Sequence, residues 1–324
     1  MDNTTADHQF NCSLNNNSLR VPLAVFYSLF FLLGLVGNLL ALWVFLKMHA
    51  KKNSFRIFLI NLALADLLLI SCLPFRIFYH ANNEHWNLQP VICRMVGSIF
   101  YMNMYVSIVL LGLISIDRYL KLQRVSSRQR FLSSRQSILT CCIVWFVAIV
   151  WVAPLIFSAG NKTQSQKCFH YKRLQHTKWK AYLNIGVVLL FWVVYSALIK
   201  CYGKIAVGML QVSKEKPDLP NAVKYSQTAQ KSFFILFLFT VCFVPYHLVR
   251  IFYIISQITE VSCRWIQVLD KTNEIALMLS AFNSCLDPVM YFLLCSSIRK
   301  AVLQMLQKSC CMYTYRHSSN SSTE

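Results

Sequence analysis

Charge is what this sequence has least of. Only 14% of its 324 residues are Asp, Glu, Lys or Arg, while 56% are hydrophobic. A soluble domain carries nearer a quarter of its residues as charges, so the apolar excess here needs a solvent other than water. Acidic residues are scarcest, 12 against 32 basic ones. Charge is missing altogether from Val21 to Leu46, Met95 to Ile116, Gln136 to Asn161, Ala181 to Ile199, Ser232 to Val249 and Ile275 to Leu286. Ile57 to Phe75 holds one charge, Asp66. Most of these seven segments approach the ~20 residues that cross ~30 Å of hydrocarbon as a helix. Barrel strands are half that length and alternate in polarity, which disfavours a β-barrel. The expected fold is all-α, a bundle of seven transmembrane helices.

Other absences narrow the function. There is no catalytic triad and no phosphate-binding loop, so the chain does not read as an enzyme. No Cys/His spacing fits zinc. Inverted repeats and paired broken helices are missing, which counts against a transporter. The middle of the seventh segment, around Ala281, has no lysine for a retinal Schiff base. The first run is too long for a signal-peptide core and follows twenty polar residues, so it reads as a signal anchor.

The charges that are present are placed unevenly. Lys47, Lys51, Lys52 and Arg56 follow the first segment, and Arg118 to Arg135 the third. Lys200 to Lys231 follow the fifth, and Arg299, Lys300, Lys308 and Arg316 the seventh. Basic loops face the cytoplasm, which puts the N-terminus outside at the plasma membrane. The sequons Asn3, Asn11, Asn16 and Asn161 then lie outside as glycosylation candidates. The net charge of +20 is met by this topology and by anionic inner-leaflet lipid, so nucleic acid is not an expected partner. One outer segment breaks the pattern: Lys162, Lys167, Lys172, Arg173, Lys178 and Lys180 stand together without an acid. Either earlier helices had fixed the topology, or this is an electropositive mouth for an anion.

The expected layout is an extracellular glycosylated N-terminus over 1–22 and the seven-helix domain over 23–295. An amphipathic helix over 296–311 and a cytoplasmic tail over 312–324 follow. In "SSIRKAVLQMLQKSCC", Ile298, Val302, Met305 and Leu306 share one helical face. Cys310 and Cys311 behind it are candidates for palmitoylation. Of the thirteen cysteines, Cys12, Cys93, Cys168 and Cys263 fall in outer segments or at helix mouths, which allows two disulfides in three pairings. Cys72, Cys141, Cys142, Cys201, Cys242, Cys285 and Cys295 read as small packing residues.

Polar residues inside the membrane are costly and face a cavity or a partner. Asp66, Asp287, Asn38, Asn61, Asn103, Ser107, Asn283 and Ser284 are of this kind. A cluster around water or a cation explains them; so does a helix-packing hydrogen-bond network. Pro74, Pro154, Pro245 and Pro288 each remove a helical hydrogen bond and favour a kink.

"GLVGN" in the first helix, "NLALAD" in the second, "DRY" (Asp117-Arg118-Tyr119) ending the third, Trp145 in the fourth, "CFVPYH" in the sixth and "DPVMY" in the seventh resemble the rhodopsin-type (class A) G-protein-coupled receptors. "HLVR" and "DPVMY" resemble their purinergic-like branch. "FYMNMYVSIVLLGLISIDRY", "CFHY" and "DKTNEIALMLSAFNSCLDPVMYFL" resemble its lysophosphatidylserine receptors. Phe243 stands where many relatives have tryptophan, and helix five lacks the usual proline. The resemblance implies pairing of Cys93 with Cys168 and of Cys12 with Cys263. It implies an allosteric sodium ion among Asp66, Ser107, Asn283 and Asp287, and no other cofactor. It implies a switch of Asp117, Arg118, Tyr119, Tyr202 and Tyr291 acting on a heterotrimeric G protein of the inhibitory type, and arrestin as a further partner. Ser318, Ser319, Ser321, Ser322 and Thr323 offer phosphorylation sites for desensitisation.

Arg250 stands seven residues, ~10 Å along a helix, below Gln257 at the outer membrane face. His247 and Tyr253 share its face. Arg76 interrupts an apolar run at the outer end of helix two, Tyr101 and Tyr105 share a face of helix three, and Asn273 and Glu274 open helix seven. Two guanidiniums suit a phosphate, Glu274 an ammonium, and Asn273 a carboxylate or amide. The resemblance implicates Arg76, Tyr101, Arg250, Asn273 and Glu274 in a polar head pocket, and Tyr105 and Tyr253 adjoin it. The expected ligand is an anionic lysophospholipid, lysophosphatidylserine first, with an extracellular nucleotide as the alternative. Snorkelling arginines, ordinary packing of the tyrosines and an interhelical histidine are the structural explanations for the same residues.

Overall fold

A computed structural model describes residues 12, 17–47, 54–123, 133–157, 167–175, 177–215, 220–295, 298–304 and 307. Every element among them is helical: α1 (Asn17–Lys47), α2 (Ser54–Ala81), α3 (Pro90–Gln123), α4 (Ser134–Phe157), α5 (Lys178–Glu215), α6 (Pro220–Ile258) and α7 (Cys263–Leu294). A short helix, α8, covers 298–304. Each of the seven contains a span of 24 to 32 residues apolar enough to cross a membrane. The backbone leaves no alternative there, because a helix satisfies its own N–H and C=O groups in hydrocarbon.

The bundle buries polar residues within an apolar core and exposes large apolar side chains on its outside. Asn38, Asp66, Asn103, Ser107, Asn283, Ser284 and Asp287 are buried, while Leu32, Leu33, Val36, Phe146, Val193 and Phe237 stand exposed. That inversion is the signature of a chain solvated by lipid. Helix α3 is central and packs on α2, α4, α5 and α6; α1 meets α7 and closes the ring.

The proline-bearing helices run unbroken through Pro74, Pro154, Pro245 and Pro288. Pro288 cannot donate to the carbonyl of Ser284 one turn earlier. Asn38 of α1 supplies the missing donor, its Nδ2 reaching Ser284 O at 2.8 Å and Gly34 O at 2.9 Å. Gly37 permits that approach: a Cβ there would lie 2.7 Å from Pro288 Cγ. Asn61 bridges in the same way, accepting from Trp145 Nε1 at 3.1 Å while donating to Ile57 O. Helix α5 is continuous although its proline is absent.

Cys93 is bonded to Cys168, and Cys12 to Cys263. Both bridges lie at one end, called here the bridged end. Cys72, Cys141, Cys242 and Cys285 are buried, but Cys142 is exposed. Cys142 is therefore no packing residue: α4 turns that face to lipid. Ile298 of α8 is buried against the core. Met305, Leu306, the sequons Asn3, Asn11, Asn16 and Asn161, Cys310, Cys311 and the tail hydroxyls fall outside the described residues.

Candidate ligand site and switch

Arg250 sits one turn above His247 on α6 and five residues above Pro245, which lacks a backbone donor although the helix continues through it. Its guanidinium donates from Nη2 to Asn184 Oδ1 at 2.9 Å and from Nη1 to Asn273 Oδ1 at 3.4 Å. The rings of Tyr253, Tyr101 and Tyr246 face it at 4.9, 5.4 and 5.9 Å. Each contact is neutral. Arg250 is a buried cation held by amide oxygens and ring faces, which are weak substitutes for a carboxylate or phosphate.

Arg76 is placed differently. It donates from Nη1 to Glu274 Oε2 at 3.4 Å and to Tyr27 Oη at 3.3 Å. Phe100 and Phe169 cover the guanidinium at 4.3 and 4.5 Å. Phe169 holds φ at +56°, a left-handed backbone that costs a bulky residue ~1–2 kcal/mol. The neighbouring Cys168–Cys93 bridge anchors this turn, and Tyr79 and Trp86 pack edge-on to the ring. The sequence suggests both guanidiniums on one phosphate. In the structure each has its own partners, and Arg76 and Glu274 already neutralise one another.

Asn184 is a site residue that the sequence motifs do not single out. It is an amide in the uncharged run of α5, and that is the one local signal of its presence. Its Nδ2 donates to Lys180 O at 2.7 Å, which aims Oδ1 at Arg250. Asn184, Tyr101 and Tyr105 also line an apolar groove of about 480 Å³ between α3, α4 and α5, walled by residues such as Val109, Val147, Trp151, Leu183 and Leu190. Several wall residues, including Ile143, Val147 and Leu190, are exposed on the lipid side of the bundle. Gly186 borders the groove, and a Cβ there would meet the Trp151 ring at 3.4 Å, ordinary van der Waals contact. The Arg250 site and the groove thus share residues.

His247 lies below. Its Nδ1 bonds Phe243 O at 2.8 Å, and its ring stacks on Phe191 with centroids 3.6 Å apart. Tyr105 meets it edge-on. Packing accounts for the ring, though its buried Nε2 has no partner.

Above Arg250, residues 167–175 cross the bridged end. Gln257 pins them, donating from Nε2 to Lys172 O and accepting from Leu174 N, both at 2.9 Å. Burial, Lys172 and Lys167 push His170 down to about 4, so its ring is neutral at pH 7. Partial burial, Lys180 and Arg94 lower Lys172. Cations crowd this rim, in keeping with its composition.

Deeper in the bundle, Asp66 is wholly buried with both carboxylate oxygens unpartnered. Asn103 Oδ1, Ser107 Oγ and Asn283 Oδ1 are buried and unpartnered too. Asn283 Nδ2 donates to Asp287 Oδ2 at 2.9 Å. Orphaned oxygens on this scale are the donor set of a hard cation or of water.

At the opposite end Asp117 and Tyr119 are buried. The side chain of Arg118 lies outside the described residues. Tyr202 of α5 bonds Ser115 at 2.8 Å, and Tyr291 is buried with its hydroxyl unpartnered.

Residues 37–291 match the model of the 7 transmembrane receptor (rhodopsin family). The chain is 49% identical over 298 residues to the protein named Probable G-protein coupled receptor 34 of Mus musculus, across 91% of this chain and 80% of that one. It is 33% identical over 304 residues to a purinoceptor of Bos taurus, across 91% and 88%. It is likewise 33% identical over 285 residues to the Uracil nucleotide/cysteinyl leukotriene receptor of Homo sapiens, across 87% and 76%. Seven apolar helices, polar residues buried among them and these matches lead to one conclusion: the chain belongs to the rhodopsin family of seven-transmembrane receptors, multi-pass membrane proteins that signal through G proteins and are not enzymes.

Proposed function

We propose that this receptor answers an anionic lysophospholipid, lysophosphatidylserine in the first place, and signals through an inhibitory-type G protein. One observation carries the ligand class. Arg250, a buried cation without a carboxylate, touches Asn184 and Tyr101, and both of those line an apolar groove on the lipid side. An anionic head with a single acyl chain fills both parts. A nucleotide fills the cationic part and leaves about 480 Å³ of apolar space to water, which is the weaker fit. One relative is named for a purine and another for a uracil nucleotide, so that reading stands as the alternative.

The serine head would place its phosphate on Arg250 and Asn273, with Arg76 and Glu274 answering its carboxylate and ammonium. Tyr105 and Tyr253 would wall the head. The basic rim, on the outer side with the N-terminus, steers the anion inward. Binding draws the outer part of α6 towards α5 and α7, and Pro245, where a helical hydrogen bond is missing, serves as the pivot that passes the motion to the Asp117–Arg118–Tyr119 end, with Tyr202 and Tyr291. This is a population shift, requiring tighter binding to the active state. Inhibitory-type coupling and arrestin recruitment rest on family resemblance alone.

A panel of lysophosphatidylserine, its deacylated head group and nucleotides tests the ligand class by G-protein activation. Only the acylated ligand is expected to act at low concentration, and Gly186→Leu, which fills the groove, is expected to cut its potency at least tenfold. An equipotent deacylated head group or nucleotide overturns the lipid reading.

The orphaned oxygens fit sodium, with Asp66, Ser107, Asn283 and Asp287 as its holders. The ion would supply a positive charge that offsets the buried carboxylates. Asp66→Asn is expected to abolish the sodium dependence of agonist affinity. An intact salt effect, with choline as the control cation, removes the ion from this site.

A further inference from the structure

The seam between α3 and α5 carries a feature that ligand recognition does not use. Gly112, Ser115 and Tyr119 lie at i, i+3 and i+7 on α3, one stripe of a helix. Each faces α5. A Cβ on Gly112 would approach Val194 Cγ1 to 3.0 Å, so glycine lets the helices close. Ser115 Oγ lies 2.8 Å from Tyr202 Oη. Lys204 Nζ stands 5.9 Å from the Tyr119 ring centre. The second and third contacts therefore bracket Asp117, two residues to either side.

The proton arrangement at Ser115 is fixed by its neighbours. Ser115 Oγ is also 2.8 Å from Leu111 O, and a carbonyl only accepts. The single serine proton goes to Leu111 O. Tyr202 must then donate to Ser115, and its own single proton is committed there. Both side chains are almost fully buried, Ser115 at 1% and Tyr202 at 2% exposure. Without Ser115 the phenol loses this bond to α3, and with it one restraint on the position of its side chain.

We infer that Ser115 is a positioning residue of the signalling switch: its hydroxyl holds Tyr202 against α3 and so stabilises the resting register of α3 and α5 beside Asp117–Arg118. The arrangement shown is taken as the resting one: Arg76 is closed on Glu274, and Arg250 on Asn184 and Asn273, so both guanidiniums are held by side chains of the receptor itself. A contact made in that state and lost on leaving it acts as a detent. The inference does not depend on which ligand opens the site.

The test is a double-mutant cycle on the full receptor, read as basal nucleotide exchange on purified G protein at matched surface density. Hydrogen bonds between membrane helices average a strength that corresponds to about a threefold bias and reach about eighteenfold. Ser115→Ala is expected to raise basal exchange by about that factor, and Ser115→Thr, which keeps the hydroxyl, to stay near wild type. In a Tyr202→Phe background, Ser115→Ala is expected to add nothing. Unchanged or lowered basal exchange in Ser115→Ala overturns the inference, as does an equal Ser115→Ala effect with and without the tyrosine hydroxyl. Failure of Thr to restore the wild-type level overturns it too, since a purely steric role for Ser115 would then explain the change.

Discussion

Arg250→Met is expected to lower agonist potency by two to three orders of magnitude while the receptor still reaches the cell surface. Arg250 is the one described cation in the site whose contacts are all neutral: two amide oxygens and three ring faces. An incoming phosphate replaces weak partners with a strong one, so binding energy is gained without breaking an ion pair. Truncating one member of a buried, hydrogen-bonded charge pair costs ~2–5 kcal/mol, from about thirtyfold to several thousandfold in affinity. Loss of the side chain leaves Asn184 and Asn273 short of a donor, which lowers stability modestly. For that reason Arg250→Lys is the second variant. It keeps the charge but has no planar fork to span Asn184 and Asn273 together. Its expected potency lies between wild type and Arg250→Met, at normal surface density. Agonist concentration–response curves with surface labelling decide the matter, and wild-type potency in Arg250→Met would remove Arg250 from the ligand site.

The sequence discloses the fold through what is spatially coarse. Uncharged runs near ~20 residues dictate spanning helices because hydrocarbon offers the backbone no partner. Buried polar residues such as Asn38 and Asp66 stand out because each interrupts such a run. Partner choice is less legible. Arg76 and Glu274 are 198 positions apart, and nothing local says that they meet each other before they meet a ligand. Asn184 is inconspicuous because an isolated asparagine in an apolar helix resembles a packing residue. Its role appears only when Lys180 O turns its amide towards α6. The groove is invisible for a similar reason: its wall residues are ordinary apolar ones, and a gap between α4 and α5 is a property of three helices rather than of any one. The disulfides are legible as a set of four cysteines but not as pairs, since pairing is a matter of which helix mouths are neighbours. Cys142 departs from its expected packing role because burial depends on how α4 is rotated about its axis, and α4, apolar all round, carries little periodic signal.

The Arg76–Glu274 pair leads to the second large effect, one in which stability and recognition separate. Arg76→Ala strands the buried Glu274 carboxylate without its counter-charge. Removing one partner of a buried ion pair costs ~3–5 kcal/mol, a large fraction of the stability of a folded domain. Thermal unfolding in detergent is expected to shift well downward, and surface expression to fall. Replacing both partners with apolar residues of similar volume is commonly neutral or stabilising. The double variant Arg76→Met, Glu274→Leu is therefore expected to recover the melting temperature of the wild type. If the pair exists for the fold alone, that variant also recovers agonist response. If the pair opens to receive a zwitterionic head, response to lysophosphatidylserine stays lost, because neither its carboxylate nor its ammonium finds a counter-charge. The second outcome is the expected one. The geometry favours it: a packing ion pair has no need of Phe169 in a strained turn above it, whereas a pair that must be uncovered does. Melting temperature and agonist potency measured on the same three proteins separate the two roles.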